Sequence, residues 1–345
     1  MTNFFSSTKA RKFCLEPASR IFAGHLTRLN RQPDNQTREY VSVRTCFHTP
    51  SFRRLRAAFC GFAAAAALAA TPLPSLAGGN TYLLKPESPT PGFMLMENMQ
   101  GNCPNGSMTI SGAGSRLAGQ ISMQTFSTKK TEVLAFSGAK PSVLKESTLS
   151  DITITTTRIG DKVETNTENG ALTGCTVLIE RNNGGWTKNL IGAVPNEAQL
   201  KELKAPYSDG DESYPDGPVK VGTKWQINAS TLAKLLGWDA QEISPESESS
   251  MTFERIESIN GDRCAVISVS PLLISGTKEF DGKAMRFRLD GHGIIYRSLS
   301  GYFDAKSMIE GTMTLDRQPA PGETDVAFNM TIPLTISTTA QRIDR

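Results

Sequence analysis

Residues 326–337 read VAFNMTIPLTIS, and this stretch decides the fold class of the chain. Apolar side chains recur at every second position and polar ones fall between them, which is the period of a β-strand with one wet face. The apolar positions are Val326, Phe328, Met330, Ile332, Leu334 and Ile336. Pro333 has no N–H to donate to a neighbouring strand, so we expect a sheet edge or a bulge there.

Segments with the same period recur outward from this strand, separated by turn formers. They cover residues 119–126, 132–136, 152–159, 162–167, 175–181, 251–259, 263–269, 285–289 and 309–315. The dipeptides Asn260-Gly261 and Asp281-Gly282 predict tight hairpins between such segments. Consecutive strands should therefore be antiparallel neighbours.

Helical signals are few. They appear at 196–203 and at 230–236, the second beginning after a cap at Asn228 or Ser230 and stopping at Gly237. The whole pattern predicts a mainly β protein with antiparallel sheets, arranged as a sandwich or as a split or half barrel, with two short helices, after a cleaved leader.

The expected mature chain divides into two β-rich halves. Residues 78–204 form the N-terminal half and 219–345 the C-terminal half, and 205–218, APYSDGDESYPDGP, form an acidic Pro/Gly linker or loop. Because no strict internal repeat relates the halves, both two separate domains and two halves that share one sheet remain open.

A signal peptide is expected at 53–77. An arginine-rich start at 53–56 precedes an alanine-rich apolar run, and Ser75 and Ala77 are the small residues that a signal peptidase selects. The run is about fourteen residues long and ends at prolines, which is short for a bilayer span. We expect cleavage between Ala77 and Gly78, no stable membrane span in the mature chain, and a periplasmic or extracellular location.

Residues 1–52 are rich in Arg and Ser and show no periodicity. We interpret them as an unstructured leader extension or as the product of a mis-assigned upstream start. The alternative is a two-part transit sequence, because organelle-targeting peptides are also rich in Arg and poor in acids. In that case the destination is an organelle lumen.

Charge is divided unevenly along the chain. Residues 1–77 hold 11 of the 37 Lys and Arg residues and 3 of the 34 Asp and Glu residues, which leaves 26 and 31 for the other 268. A mildly acidic mature chain lacks the basic surface that neutralises phosphates. The sequence therefore argues against nucleic acid as a partner.

Histidine is scarce beyond the leader, and this restricts the chemistry. His25 and His48 precede the expected cleavage, which leaves His292 between two glycines, where we predict a turn. A metal site with several histidines is excluded, and no G-x-S-x-G phrase marks a serine nucleophile. We expect no cofactor and assign no catalytic residue.

Three cysteines follow the leader, Cys103, Cys175 and Cys264, and none has C-x-x-C spacing. In an oxidising compartment two of them are expected to pair. We favour Cys103 with Cys175 among the three pairings, and a buried free thiol at Cys264.

The acidic segment raises a calcium hypothesis. Asp209, Asp211 and Asp216 are closely spaced oxygen ligands, but Tyr214 stands where a calcium loop needs glycine. A solvated acidic loop is the main expectation.

A second acidic hypothesis is a carboxylate pair that hydrolyses a substrate across a cleft. The strand acids that would supply it are Glu254, Glu257, Asp290 and Glu310.

The phrase V-x-V-G-x-x-W runs from Val219 to Trp225 and precedes a meander punctuated by Gly and Asp. Over residues 219–315 this pattern resembles a family of uncharacterised exported bacterial β-proteins. The resemblance implies export and β structure, and it implies no activity because that family has no assigned reaction.

Together these features predict an exported, non-catalytic β-module that binds an apolar ligand or a cell-envelope partner. A secreted carboxylate-dependent hydrolase is the alternative, and a structural envelope component is the third hypothesis.

Overall fold

The structure is a computed structural model that describes residues 80–85, 91–112, 115–138, 140–182, 185–208, 210–236, 239–280, 283–301, 303–319 and 327–343. The leader, the Ala77–Gly78 bond, Asp209 and the Asp281-Gly282 turn lie outside these residues. No helix in the described part of the chain is both long enough and apolar enough to cross a membrane.

Twelve strands, two short α-helices and two single-turn 3₁₀ helices, Asp211–Ser213 and Ala240–Glu242, make up the regular structure that is described. The strands are β1 Met94–Gly112, β2 Ser115–Ser137, β3 Lys140–Ile159, β4 Lys162–Asn169, β5 Thr176–Asn182, β6 Gly185–Leu190, β7 Lys224–Ile227, β8 Glu248–Ile259, β9 Asp262–Phe280, β10 Lys283–Ser298, β11 Asp304–Arg317 and β12 Ala327–Ile343. The helices are α1 Glu197–Lys204 and α2 Ala229–Leu235.

All twelve strands belong to one antiparallel sheet, in the order β6-β5-β3-β2-β1-β12-β11-β10-β9-β8-β7, with β4 paired to β3. The predicted class, mainly β and antiparallel with two short helices, is confirmed. Strand β1 pairs with β12, so both predicted halves contribute to the same sheet. Two separate facing sheets are not formed by the described strands.

Strand β12 contains most of the stretch that decided the fold class, and its alternation is confirmed. Met330, Ile332, Leu334 and Ile336 are each at most 4% exposed. Pro333 lies where the β1–β12 register shifts, between the pairs formed by Asn102 and by Ser107. At a bulge the pairing between strands is interrupted, so the N–H that proline lacks is not needed there. Of the two positions expected for Pro333, a sheet edge or a bulge, the bulge is correct.

Local signals also placed the hairpin and the helices. Asn260 and Gly261 join β8 to β9 with φ of 50° and 85°, the left-handed values that an Asn-Gly turn adopts. The side chain of Asn196 caps α1 by accepting from Gln199 N, and that of Asn228 caps α2 by accepting from Thr231 N.

One side of the sheet, here called the buried face, carries the main apolar core. It is lined on almost every strand by side chains at most 5% exposed, among them Met99, Met123, Ile227, Phe253, Ile267, Phe287, Ile309 and Ile332. Register shifts interrupt several pairings, including β1–β2, β2–β3, β8–β9 and β9–β10. Because each bulge bends its strand, they curve the sheet.

Candidate functional site

A row of side chains crosses the buried face and ends at a lysine. Main-chain pairing places Val133 beside Leu144, Leu144 beside Ile179, and Ile179 beside Lys188. Phe93 begins the row, since its carbonyl accepts from Val133 N at 2.9 Å. The row, here called the lysine row, spans four strand spacings or about 19 Å.

The four apolar members of the lysine row belong to one core cluster and are at most 6% exposed. Helix α1 contributes Leu203, its only buried side chain, to the same cluster. Partly buried side chains from the strands and from neighbouring loops pack against this cluster, namely Leu95, Phe136, Leu172, Trp186, Leu190, Tyr207 and Phe303. The row is therefore an apolar strip beneath a thin cover.

Lys188 lies under α1, where the acceptor of its hydrogen bond is an uncharged main-chain carbonyl. Its Nζ donates to the main-chain oxygen of Glu202 at 2.8 Å, while the Glu202 carboxylate accepts from Ala171 N at 3.1 Å. Burial lowers the pKa of Lys188 to about 8, and the charges of Glu146 and Glu202 limit the fall while Lys129 adds to it. Lys188 is thus a partly buried cation whose hydrogen bond goes to a carbonyl.

Three charged side chains lie beside the lysine row on the same face and are here called the charged trio. Glu97 of β1 is the cross-strand partner of Lys129 of β2, and Lys129 Nζ lies 2.9 Å from Glu146 Oε1 of β3. Burial raises the pKa of Glu97; Lys129 opposes the rise, while Glu146 and Asp304 increase it. A carboxyl whose pKa is raised by burial therefore lies beside an ion pair.

Ser127 is next to the charged trio and has an unused hydroxyl. It precedes Lys129 by two positions on β2, faces Met99 across the β1–β2 pairing, and is 5% exposed. Within the described residues its Oγ has no hydrogen-bond partner. Burying a hydroxyl without a hydrogen-bond partner costs free energy. Ser127 therefore adds a polar group to this part of the buried face.

A second ionic group, here called the arginine anchor, closes one end of the sheet. Arg297 of β10 reaches Asp211 at 3.4 Å and Asp304 at 3.2 Å, and its Nε donates to Leu84 O at 2.9 Å. Tyr214 donates its hydroxyl to Asp304 at 2.7 Å and lies beneath the guanidinium. Burial and Asp304 raise the pKa of Tyr214, so the phenol keeps its proton.

Within the loop at 205–218, Asp211 departs from the expectation of a solvated acidic loop, whereas the side chain of Asp216 is 89% exposed. Asp211 is 2% exposed because Arg297 needs a buried counter-charge. Asp216, a second calcium candidate, accepts from Lys85 at 2.7 Å. The described part of the chain holds no group of three or more side chains suited to a metal, and Asp209 lies outside it. Asp211 and Asp216 are each paired with a basic side chain, and they are not gathered around a common metal position.

In this structure Cys103, Cys175 and Cys264 are all free thiols, so the expected Cys103–Cys175 disulfide is not formed. Cys103 is on β1 and Cys175 directly precedes β5, with β2 and β3 between those strands. Three strand spacings separate them by about 14 Å, whereas a disulfide requires Cα atoms within about 7 Å. Sequence spacing carries no information about this separation.

His292 lies inside β10 rather than in the predicted turn, since the glycines beside it are themselves in strand. Its Nε2 is 3.8 Å from Glu310 Oε2, and both side chains are about half exposed or more, at 66% and 48%.

The strand acids considered for hydrolysis do not face one another across a cleft. Glu257 accepts from Arg255 and Asp290 from Arg288, each a near neighbour on its own strand. Glu254 accepts from Ser268 on the adjacent strand. They are surface charges of the sheet.

The residues of the site were missed, although the sequence contains a signal for them. In Phe93–Met99 and in Trp186–Leu190, Glu97 and Lys188 occupy the phase of the alternation that is otherwise apolar. A charge in the buried phase of a strand is expected to be paired or functional. The pairing across strands that joins them is not visible in the sequence.

Fold and site together define a single-sheet antiparallel β-protein with ionisable groups set into its buried face. No family model matches this chain, and no curated protein matches it. Solved structures give distant resemblances. OccK7 (OpdD) of Pseudomonas aeruginosa is 8% identical, covers 73% of this chain and 99% of its own, and has a TM-score of 0.22.

Two further structures resemble the chain at a similar level. The translocator domain of the autotransporter NalP from Neisseria meningitidis is 9% identical over 72% of this chain and 89% of its own, with a TM-score of 0.19. A DUF1329 family protein from Desulfovibrio piger is 9% identical over 69% and 85%, with a TM-score of 0.14. These scores are too low for the resemblances to bear on fold or function.

Proposed function

We propose that this chain is an exported, non-catalytic binding module that takes an apolar ligand along the lysine row, beneath α1. One observation carries the proposal: a continuous apolar strip of about 14 Å, from Phe93 to Ile179, is covered from α1 by the single buried side chain of Leu203. The expected signal peptide at 53–77 supports export.

The cover is suited to opening because little holds it. Helix α1 has eight residues, too few to be stable in isolation. Its described ties are the bonds from Lys188 to Glu202 O, from Ala171 N to the Glu202 carboxylate and from Gln199 Nε2 to Cys175 Sγ, and the packing of Leu203. An alkyl chain that replaces Leu203 against the row would recover the buried apolar area that opening exposes.

Uncharged ligands test this proposal without involving Lys188. Calorimetric titration with decanol, undecanol and dodecanol should show that each added methylene strengthens binding about fourfold. Trp186, which packs against the row, should report the same binding by a change in its fluorescence. Absence of saturable binding for all three alcohols would contradict the proposal.

A matched pair of variants locates the binding. Val133→Thr keeps the shape of a side chain that is 4% exposed within the row, and the added hydroxyl should weaken alcohol binding at least about fivefold. Val163→Thr makes the same change on β4 at a position that is 53% exposed and should leave binding unchanged. Equal effects from both variants would place the ligand elsewhere.

A secreted carboxylate-dependent hydrolase is the second candidate, favoured by one observation. Glu97, whose pKa burial raises, lies near Glu146, which is ion-paired with Lys129, and hydrolases use two carboxyl groups in unlike environments. Turnover of chromogenic glycosides or esters that is lost in Glu97→Gln and kept in Glu310→Gln would support it. If the protein shows neither ligand binding nor turnover, the third hypothesis, a structural envelope component, remains.

A further inference from the structure

We infer that the ligand of the lysine row is a long-chain carboxylate whose head group binds Lys188 while its alkyl chain lies along Ile179, Leu144 and Val133. This inference rests on the proposed function and specifies its substrate class. It follows from the order of the row, in which one cation stands at the end of a line of apolar side chains.

The hydrogen bonds around Lys188 leave room for an anion. Lys129 is engaged by Glu146 at 2.9 Å, and the Glu202 carboxylate accepts from Ala171 N at 3.1 Å rather than from Lys188. Lys188 is left with the carbonyl of Glu202 as the acceptor of its hydrogen bond. A carboxylate that replaces this carbonyl exchanges a neutral acceptor for a charged one, which adds the attraction between two opposite charges in a partly buried place.

The geometry links head-group binding to opening of the cover. Glu202 and Leu203 are adjacent on α1, and one accepts from Lys188 while the other packs on the row. A long-chain carboxylate replaces both contacts at once, the head group at Lys188 and the alkyl chain at Leu203. A short carboxylate replaces only the first, so acetate should not bind.

The preference of the site for a carboxylate should change with pH in a defined direction. With its pKa near 8, Lys188 is mostly protonated at pH 7 and mostly neutral at pH 10. The ionisable groups that act on it are Glu146, Lys129 and Glu202. The preference for a carboxylate over an alcohol should therefore be largest near neutral pH and decline as pH rises.

The test compares three head groups on one dodecyl chain by calorimetry at pH 7: the carboxylate, the alcohol and the trimethylammonium ion. The carboxylate should bind at least about tenfold more tightly than the alcohol, and the cation should bind most weakly. In Lys188→Gln the carboxylate should fall to within about threefold of the alcohol, whereas Lys224→Gln, at an exposed position of β7, should behave as the unaltered protein.

A second pair of variants tests the cover. Leu203→Ala removes the side chain that the alkyl chain replaces and should tighten carboxylate binding, while Leu200→Ala on the same helix, at a position 41% exposed, should not. Circular dichroism establishes that each variant is folded. If tighter binding is absent in Leu203→Ala, the ligand does not displace α1.

The outcomes separate the inference from the proposed function. If all three head groups bind with equal affinity, or the cation binds best, the inference is overturned and apolar binding stands. If none binds, the proposed function fails as well. If the preference for carboxylate survives in Lys188→Gln, the head group binds elsewhere.

Discussion

Lys188 donates a hydrogen bond of 2.8 Å to the main-chain oxygen of Glu202, and this bond joins the edge strand β6 to helix α1. Its position is notable because the same lysine ends a row of apolar side chains that crosses the sheet. Because its hydrogen bond goes to an uncharged carbonyl, this lysine retains part of the cost of burying its charge.

Replacing Lys188 should change how stability depends on pH. The pKa of this lysine falls from 10.5 to about 8 on folding, chiefly because of burial, so between these values the unfolded chain binds more protons than the folded chain. The stability of the unaltered protein should therefore rise with pH across this window. Lys188→Met should remove that rise, as measured by urea unfolding at pH 7 to 10.

Lys224→Met is the control for this measurement, since Lys224 is exposed on β7. The control should retain the rise. A parallel pH dependence for the unaltered protein and Lys188→Met would contradict the burial of the ammonium group.

Replacing Arg297 should destabilise the fold severely. The side chains of Arg297 and Asp211 are 3% and 2% exposed, and Asp304 completes the group. Arg297→Met leaves two carboxylates without their counter-charge, which should cost about 3–5 kcal/mol in the free energy of unfolding. Arg288→Met removes an ion pair whose side chains are 60% and 59% exposed and should cost under about 1 kcal/mol.

Glycine is required where strands β10 and β11 approach each other closely. A Cβ on Gly293 would lie 2.4 Å from Met308 O, a main-chain atom that cannot turn aside. Gly293→Ala should therefore lower the free energy of unfolding by about 1–3 kcal/mol. Gly217, with no atom within 4 Å of an added Cβ, is the matched control, and Gly217→Ala should be neutral or slightly stabilising.

The three thiols of the described chain should differ in reactivity. Burial raises the pKa of Cys103 to about 12 and, with help from Asp262, that of Cys264 to about 11. Cys175 is only partly buried. A thiol reagent at pH 8 should therefore modify Cys175 first and the other two only after unfolding. Finding fewer than three reactive thiols in the denatured, unreduced chain that begins at Gly78 would instead indicate a disulfide.

Much of the fold was predictable because its signals are local. The alternation in β12, the turn at Asn260-Gly261 and the cap at Asn196 each depend on a few neighbouring residues. These features gave the fold class and both helices. Pro333 could be assigned to an edge or a bulge but not to one of them, because the choice depends on its partner β1.

The site was less predictable because its residues meet through pairing between distant strands. Lys188 joins Val133 only through β5 and β3, and Arg297 meets Leu84 across 213 positions of sequence. The loop at 205–218 has the composition of a solvated linker, yet Arg297 draws Asp211 into the interior. In the same way, strand order separates the two cysteines that were expected to pair.

Photo-crosslinking tests the central claim, that an apolar ligand lies along the lysine row, most directly. Hexadecanoate with a diazirine at mid-chain would be irradiated with the full chain, and the modified peptides would be mapped by mass spectrometry. The account predicts saturable labelling of peptides that contain Val133, Leu144 or Ile179, displaced by unlabelled hexadecanoate. Labelling confined to exposed apolar positions such as Leu149, or labelling that hexadecanoate does not displace, would contradict it.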